Sequence, residues 1–201
     1  MSVRTEKRAL RRAMVERILA MDPDDRISQE RELTARLPEL PGFVGSKTVL
    51  LYVSAFPEEI GTKGMLEAAL KAGHRLALPR VDREAHRLRL YVVNDLEADL
   101  EPGTLGILEP RLSLPELEPG QIDWVLAPGL AFDRLGYRLG RGAGHYDRLL
   151  VKLRPETPRW ALLLEPQWVE SLPVEPHDQE LDGLVSRRTY LAFNRPRLPL
   201  S

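Results

Sequence analysis

The residues best suited to chemistry stand between Ala127 and Leu150, in APGLAFDRLGYRLGRGAGHYDRLL. Gly140, Gly142 and Gly144 alternate there, and Arg138 and Arg141 stand among them. Glycine permits positive φ and lets successive main-chain N–H groups converge without obstruction. Amides gathered at a strand-to-helix turn, with the positive end of the helix behind them, make an anion site. Arginine adds a fixed charge that forks onto phosphate oxygens. Together these features predict a polyphosphate cradle. The stretch is not a Walker loop, which ends in Gly-Lys-Ser/Thr, and its spacing is not that of a dinucleotide fingerprint. On spacing alone, a phosphate cradle and a flexible surface turn stand level.

Two further groups could serve the same chemistry. Asp147 follows Gly144 at the start of the next helix. A carboxylate there caps backbone amides or ligates Mg²⁺ bound to phosphate. Lys7 and Arg11 are one helical turn apart and share a face. Arg4, Arg8 and Arg12 lie beside them, so by itself this pattern reads as a solvated basic face. Asp133 reads as a turn-forming aspartate.

These residues need elements to position them, and the patterning supplies those elements. Leu10, Met14 and Ile18 recur at helical spacing. Pro23, capped by Asp22, opens a second helix that carries Ile27, Leu33 and Leu37 and stops before Pro38. Strands are predicted at Lys47–Ser54, Arg75–Val81, Leu88–Val93, Gln121–Ala127 and Trp160–Leu164, and helices at Thr62–Ala72 and Tyr146–Leu153. Near-continuous apolar strands alternating with helices predict an α/β fold, a three-layer α/β/α sandwich with a mixed, largely parallel sheet. We read residues 1–201 as a single domain, with N-terminal helices over 1–37. Residues 95–120 read as a long connection with little regular structure, and 195–201 as a loosely docked tail.

Composition narrows the function. Of 201 residues 43% are hydrophobic and 29% charged, the formal net charge is -1, and there is no cysteine. That excludes a disulfide scaffold, a thiolate metal site and a cysteine nucleophile. Without a basic excess no nucleic-acid partner is expected. No apolar run approaches the ~18 residues of a membrane span, so no membrane partner is expected either. The N-terminus lacks the apolar core of a secretory signal, which makes a cytoplasmic location the expectation. With no interface stripe in the sequence, a monomer is expected. Trp124 and Trp160 read as core, and His74 and His86 as surface residues.

The glycine-rich stretch resembles the 5-formyltetrahydrofolate cyclo-ligase family, also called 5,10-methenyltetrahydrofolate synthetases. The family pattern is approximately PGxAFDxxGxRLGxGxGYYDxxL, which reads here PGLAFDRLGYRLGRGAGHYDRLL. Further blocks follow the family's order: EKRALR at Glu6–Arg11, YVSAFPEEIGT at Tyr52–Thr62, LALPRV, GTLGILEP at Gly103–Pro110, and PVEPHDQELDGLVS at Pro173–Ser186. The resemblance implies ATP-dependent ring closure with Mg²⁺. 5-Formyltetrahydrofolate and ATP would give 5,10-methenyltetrahydrofolate, ADP and phosphate through a phosphorylated formyl group, an iminium phosphate.

The resemblance also implies site residues. Lys7, Arg8, Ala9, Leu10 and Arg11 would contact ATP. So would Arg138, Leu139, Gly140, Arg141, Gly142, Ala143, Gly144, His145 and Tyr146, with Arg141 the principal cation. Arg141 and His145 are implied as catalytic. Val53, Glu59, Arg141, Gly142, Ala143, Gly144 and His145 would bind the folate, Glu59 accepting from the pterin N–H groups. Glu58 beside it suggests, alternatively, a plain acidic loop. Asp147 and Asp178 would ligate Mg²⁺, with Asp182 in support.

Three departures from the pattern stand out. Ala143 replaces a lysine of some relatives, and Leu105 an aromatic residue. His145 replaces the first tyrosine of a Tyr-Tyr pair and brings a ring that titrates near neutral pH. The alternative they raise is a non-catalytic nucleotide- or folate-binding module on the same scaffold.

Overall fold

In a computed structural model the described residues are 2–103 and 106–194. Leu105 and the tail at 195–201 lie outside them.

Two capped helices open the chain. Helix α1 (Val3–Leu19) starts at Ser2, whose side chain accepts from the Thr5 N–H, and it buries Lys7, Met14 and Ile18. Helix α2 (Pro23–Arg36) starts at Asp22, which accepts from Asp24 and Asp25, with proline in its first turn. Leu33 and Leu37 are buried as expected, but Ile27 is 62% exposed. On a 100° turn per residue it falls off the stripe that meets the sheet.

The remaining elements are β1 (Thr48–Leu50), α3 (Lys63–Lys71), β2 (Arg75–Asp82), β3 (Arg87–Val93), β4 (Leu100–Pro102), β5 (Leu108–Pro110), β6 (Glu116–Leu117), β7 (Trp124–Leu126), β8 (Ala131–Phe132), β9 (Arg138–Leu139), α4 (His145–Leu150), β10 (Arg159–Leu162), β11 (Gly183–Val185) and β12 (Tyr190–Ala192). Eight strands form one sheet in the order β12-β11-β10-β7-β1-β2-β3-β6. The five from β11 to β2 are parallel, and β12, β3 and β6 pair antiparallel at the flanks.

Side chains alternate across this sheet, as a pleat requires. Val49, Leu51, Trp124, Leu126, Trp160 and Leu162 pack in one core with Ile18, Leu33 and Met65 of α1, α2 and α3. Leu50, Ala77, Val125, Ala127 and Ala161 pack in the other with Leu149 and Leu150 of α4. The mixed, largely parallel α/β/α sandwich is therefore present. Trp124 and Trp160 are core, at 0% and 2% exposure.

The stretch 95–120 is more regular than its composition suggests. It carries β4, β5 and the edge strand β6. Two of its acidic residues are turn formers: Asp95 accepts from the N–H of Glu97 and Ala98, and Asp99 from those of Asn94 and Asp95. Arg80 then ties the β4–β5 ribbon to β2 through Glu101 and the Pro110 carbonyl. Strands of two and three residues show no periodicity, so pattern alone could not reveal them.

Asp123 stitches the sheet where β1 and β7 begin. It accepts from the N–H groups of Lys47 and Thr48 and from Arg154. Burial pushes its carboxyl up, but the Thr48 and Lys47 N–H groups and the Arg154 guanidinium outweigh that and hold it below its ordinary value. A carboxyl held down by folding stabilises the fold above the unfolded pKa and ceases to do so as pH falls through the folded one. Asp123→Asn should lower stability at neutral pH and flatten its decline below about pH 4. Urea midpoints across that range check this.

Candidate active site

The cleft opens beyond the carboxyl ends of β1, β2 and β7, where open α/β sheets gather their ligands. The chain leaving β1 supplies Tyr52, Val53, Phe56 and Glu59, and that leaving β7 supplies Pro128 and Gly129. Helix α1 contributes Lys7 and Arg11, and a late loop contributes Glu175, His177 and Asp178. The glycine loop, residues 138–147, lines the middle.

Each cation at the polar end has defined partners. Lys7 Nζ lies 2.5 Å from Asp178 Oδ2 and 3.0 Å from Glu175 Oε2. Its side chain is only 8% exposed, so this is a buried ammonium rather than part of a solvated basic face. Lys7 in turn holds the Glu175 carboxyl below its ordinary value. Arg11 Nε donates to the Gly140 carbonyl at 2.8 Å and docks α1 on the loop. A β-carbon at Gly142 (φ 108°) would come within 3.1 Å of Arg11 Cζ, so this position needs glycine for backbone and space alike.

Arg8 and Ala9 are exposed, and Leu10 packs beside Met14 and Leu130. A helix that turns Lys7 and Arg11 into the cleft must turn the residues between them away. The five-residue stretch expected to touch ATP thus presents two side chains to the cleft.

Arg138 sits on β9, buried, with Nη2 2.8 Å from Asp147 Oδ1. Burial draws its pKa down while Asp147 opposes the shift. The β8–β9 hairpin that carries it is organised by Asp133, whose carboxylate accepts from Leu135, Tyr137 and Leu172. That bears out the turn role of Asp133.

Helix α4 spans six residues, shorter than its expected Tyr146–Leu153, and Gly144 at its N-cap is left-handed with φ 65°. Asp147 does not cap it but pairs with Arg138. So short a helix has little dipole, and the anion site expected at this loop could draw little on it.

Arg141 makes three contacts within the cleft. Its Nη2 lies 2.6 Å from Glu58 Oε1, its Nε 3.1 Å from Glu59 Oε1, and its guanidinium carbon 3.4 Å from the Phe56 ring centre. The other Glu59 oxygen accepts from the Ala55 N–H at 2.7 Å. Glu59 is thus a built feature of the turn, and Glu58, at 6% exposure, is buried beside it.

His145 lies with Nδ1 3.3 Å from Arg148 Nη2. A guanidinium can only donate, which puts the imidazole proton on Nε2. Burial, then Arg148 and His86, pushes its pKa below the ordinary histidine value, while a hydrogen bond with the His86 backbone opposes the shift. Tyr146 is partly buried in the cleft, and desolvation pushes its phenol up.

Asp182 falls outside the cleft and accepts from the Arg159 N–H at 2.8 Å, between β10 and β11. Several lining residues had no assigned role, although Pro79, Val81, Ile107 and Leu108 stand in the matched blocks LALPRV and GTLGILEP. Pro79, Val81 and Leu88 of β2 and β3, with Ile107 and Leu108, build an apolar wall facing Val53 and Phe56. Glu175 shares Lys7 with Asp178.

The donors fit a hard divalent ion on a phosphate chain. Among the described residues no group of three or more His, Cys, Asp or Glu side chains could hold a metal. Mg²⁺ commonly takes one or two carboxylates and leaves the rest of its shell to phosphate and water. Asp147 Oδ1 is within 3.4 Å of the Gln179 N–H, which brings it beside Asp178. Each aspartate spends one oxygen on a cation, Arg138 or Lys7.

Cations and a glycine loop at one end, and an apolar wall with a fixed carboxylate at the other, define an α/β enzyme cleft with a polar and an apolar half. Residues 3–187 match the model of the 5-formyltetrahydrofolate cyclo-ligase family, and the chain belongs to that family. It is a ligase of folate one-carbon metabolism that converts 5-formyltetrahydrofolate to 5,10-methenyltetrahydrofolate.

A mitochondrial 5-formyltetrahydrofolate cyclo-ligase of Arabidopsis thaliana is 32% identical over 211 residues, covering 92% of this chain and 75% of that one. The Escherichia coli cyclo-ligase is 30% identical over 169 residues, covering 83% and 92%. The NMR structure of Aquifex aeolicus 5,10-methenyltetrahydrofolate synthetase superposes with a TM-score of 0.82 at 30% identity, covering 97% of this chain and 96% of that one. With one relative mitochondrial and others bacterial, the comparisons assign no compartment. Among the described residues no helix is long and apolar enough to cross a membrane.

Proposed function

We propose that this cleft closes the folate ring by phosphorylating the formyl oxygen with ATP. The observation that carries the reading is Arg141: one guanidinium reaches from the glycine loop to Glu59, so the predicted phosphate and pterin positions meet at a single side chain. A formyl amide oxygen is a poor leaving group. Transfer of the γ-phosphoryl to it breaks the β–γ phosphoanhydride, releases ADP and leaves an iminium phosphate. N10 then attacks the formyl carbon and loses its proton, the C–O bond breaks, and phosphate departs with the former formyl oxygen.

The protein's share of such a transfer is positioning and charge stabilisation. Lys7, Arg11 and the 140–146 amides hold the phosphates, with Arg138 behind them. Arg141 stabilises charge on the transferring group. His145, with its proton on Nε2, donates to an oxygen. Glu59 accepts from the pterin and Val53 packs against it. Asp147 and Asp178 would hold Mg²⁺ against the phosphates, and the ion when bound supplies charge neutralisation there.

The test is the appearance of the methenyl absorbance in mixtures from which one component is withheld. Product should form only with ATP, 5-formyltetrahydrofolate and a divalent ion together, and should stop on chelation. Tight binding of either substrate by folded protein without product would overturn the reading.

A further inference from the structure

Glu58 has no role in the account so far, although it is the more buried of two adjacent carboxylates. Its side chain is 7% exposed, and its Oε1 takes the shortest bond that Arg141 makes. A carboxylate this buried requires a cation, and Arg141 supplies it. The guanidinium is then fixed on three sides: Nη2 on Glu58, Nε on Glu59, and one face on the Phe56 ring. Nη1 makes no hydrogen bond among the described residues, which leaves it for a ligand.

The two carboxylates are not equivalent. Glu59 is the group proposed to accept from the pterin, so it must exchange Arg141 for substrate. Glu58 has no such second duty and can keep its hold. We propose that Glu58 is a positioning residue that keeps Arg141 aimed at the transferring phosphoryl group when Glu59 turns to the folate. This rests on the reading of Arg141 given above.

The chemistry sets the sign of the effect. Glu58 does not line the cleft, and its charge partly neutralises Arg141, so its removal should take nothing from ground-state nucleotide binding. What is lost is the aim of the guanidinium in the transition state. Such a loss lowers kcat and leaves KM unraised.

Glu58→Gln keeps the shape and the acceptor oxygen and removes the charge. We expect kcat to fall by about tenfold or more, the scale of losing a partner that orients a working group, with KM for ATP no higher than in the wild type. In an Arg141→Ala background the same change should alter the residual rate less than about twofold, because residues acting as a unit do not add. It should also raise the melting temperature there, by removing a buried charge without a partner. Wild-type kcat in Glu58→Gln, a KM that rises with the loss, or multiplicative losses in the double variant would each overturn the proposal. An inactive wild type would instead overturn the proposed function.

Discussion

Arg141→Ala is expected to reduce methenyl formation by about 10²–10³-fold, the cost of removing one preorganised donor from a developing charge. The side chain is 36% exposed and lies in no packed core, so the fold should survive. The loss should fall mainly on kcat, because Lys7, Arg11 and the loop amides still hold the phosphates. One complication has a physical remedy. The substitution leaves Glu58 buried without its cation, which lowers stability. Combining it with Glu58→Gln should return stability but not turnover, as steady-state kinetics and thermal melts on both proteins would show. A single variant within a few fold of the wild-type rate removes Arg141 from the chemistry.

Arg138→Met is expected to act on stability more than on rate constants. The guanidinium is 3% exposed and bonded to Asp147 at 2.8 Å. Breaking a buried pair by removing one partner costs about 3–5 kcal/mol, because the other charge is left desolvated. Methionine fills the volume and leaves Asp147 unanswered. The companion variant Arg138→Met/Asp147→Asn should recover part of the loss by removing that charge. Urea denaturation of the two proteins measures the difference. If the single and double variants are equally stable, the pair does not hold the loop to the hairpin.

Local chemistry made part of this site legible in the sequence. Alternating glycines with interleaved arginines signal an anion loop wherever they occur, and the spacing of Lys7 and Arg11 places both on one face. Asp133 followed by Arg134, Leu135 and Gly136 reads as a turn, and it is one. The pairings that complete the site are not local. Lys7 and Asp178 stand 171 residues apart, and Arg141 and Glu59 stand 82 apart. Neither separation has a periodicity to betray it.

Adjacent acids are equally opaque. Nothing in Glu58-Glu59 reveals that both are fixed on one guanidinium, or that Glu58 is the deeper. The same holds for the apolar wall. Ile107 and Leu108 reach the cleft beside the β4–β5 ribbon, which Arg80 and Glu109 tie to β2. Where period and turn chemistry decide, as for α1, α2 and the parallel strands, the reading and the structure agree. Where a tertiary ion pair decides, the sequence is silent until the chain is folded.

The central claim is that the formyl oxygen leaves as part of phosphate, and the fate of that oxygen tests it most directly. 5-Formyltetrahydrofolate carrying ¹⁸O in its formyl group would be turned over with unlabelled ATP in unlabelled water, and the released inorganic phosphate examined by mass spectrometry. Phosphoryl transfer to the formyl oxygen predicts one heavy oxygen in each phosphate. Unlabelled phosphate, with the heavy oxygen recovered in water, would contradict it.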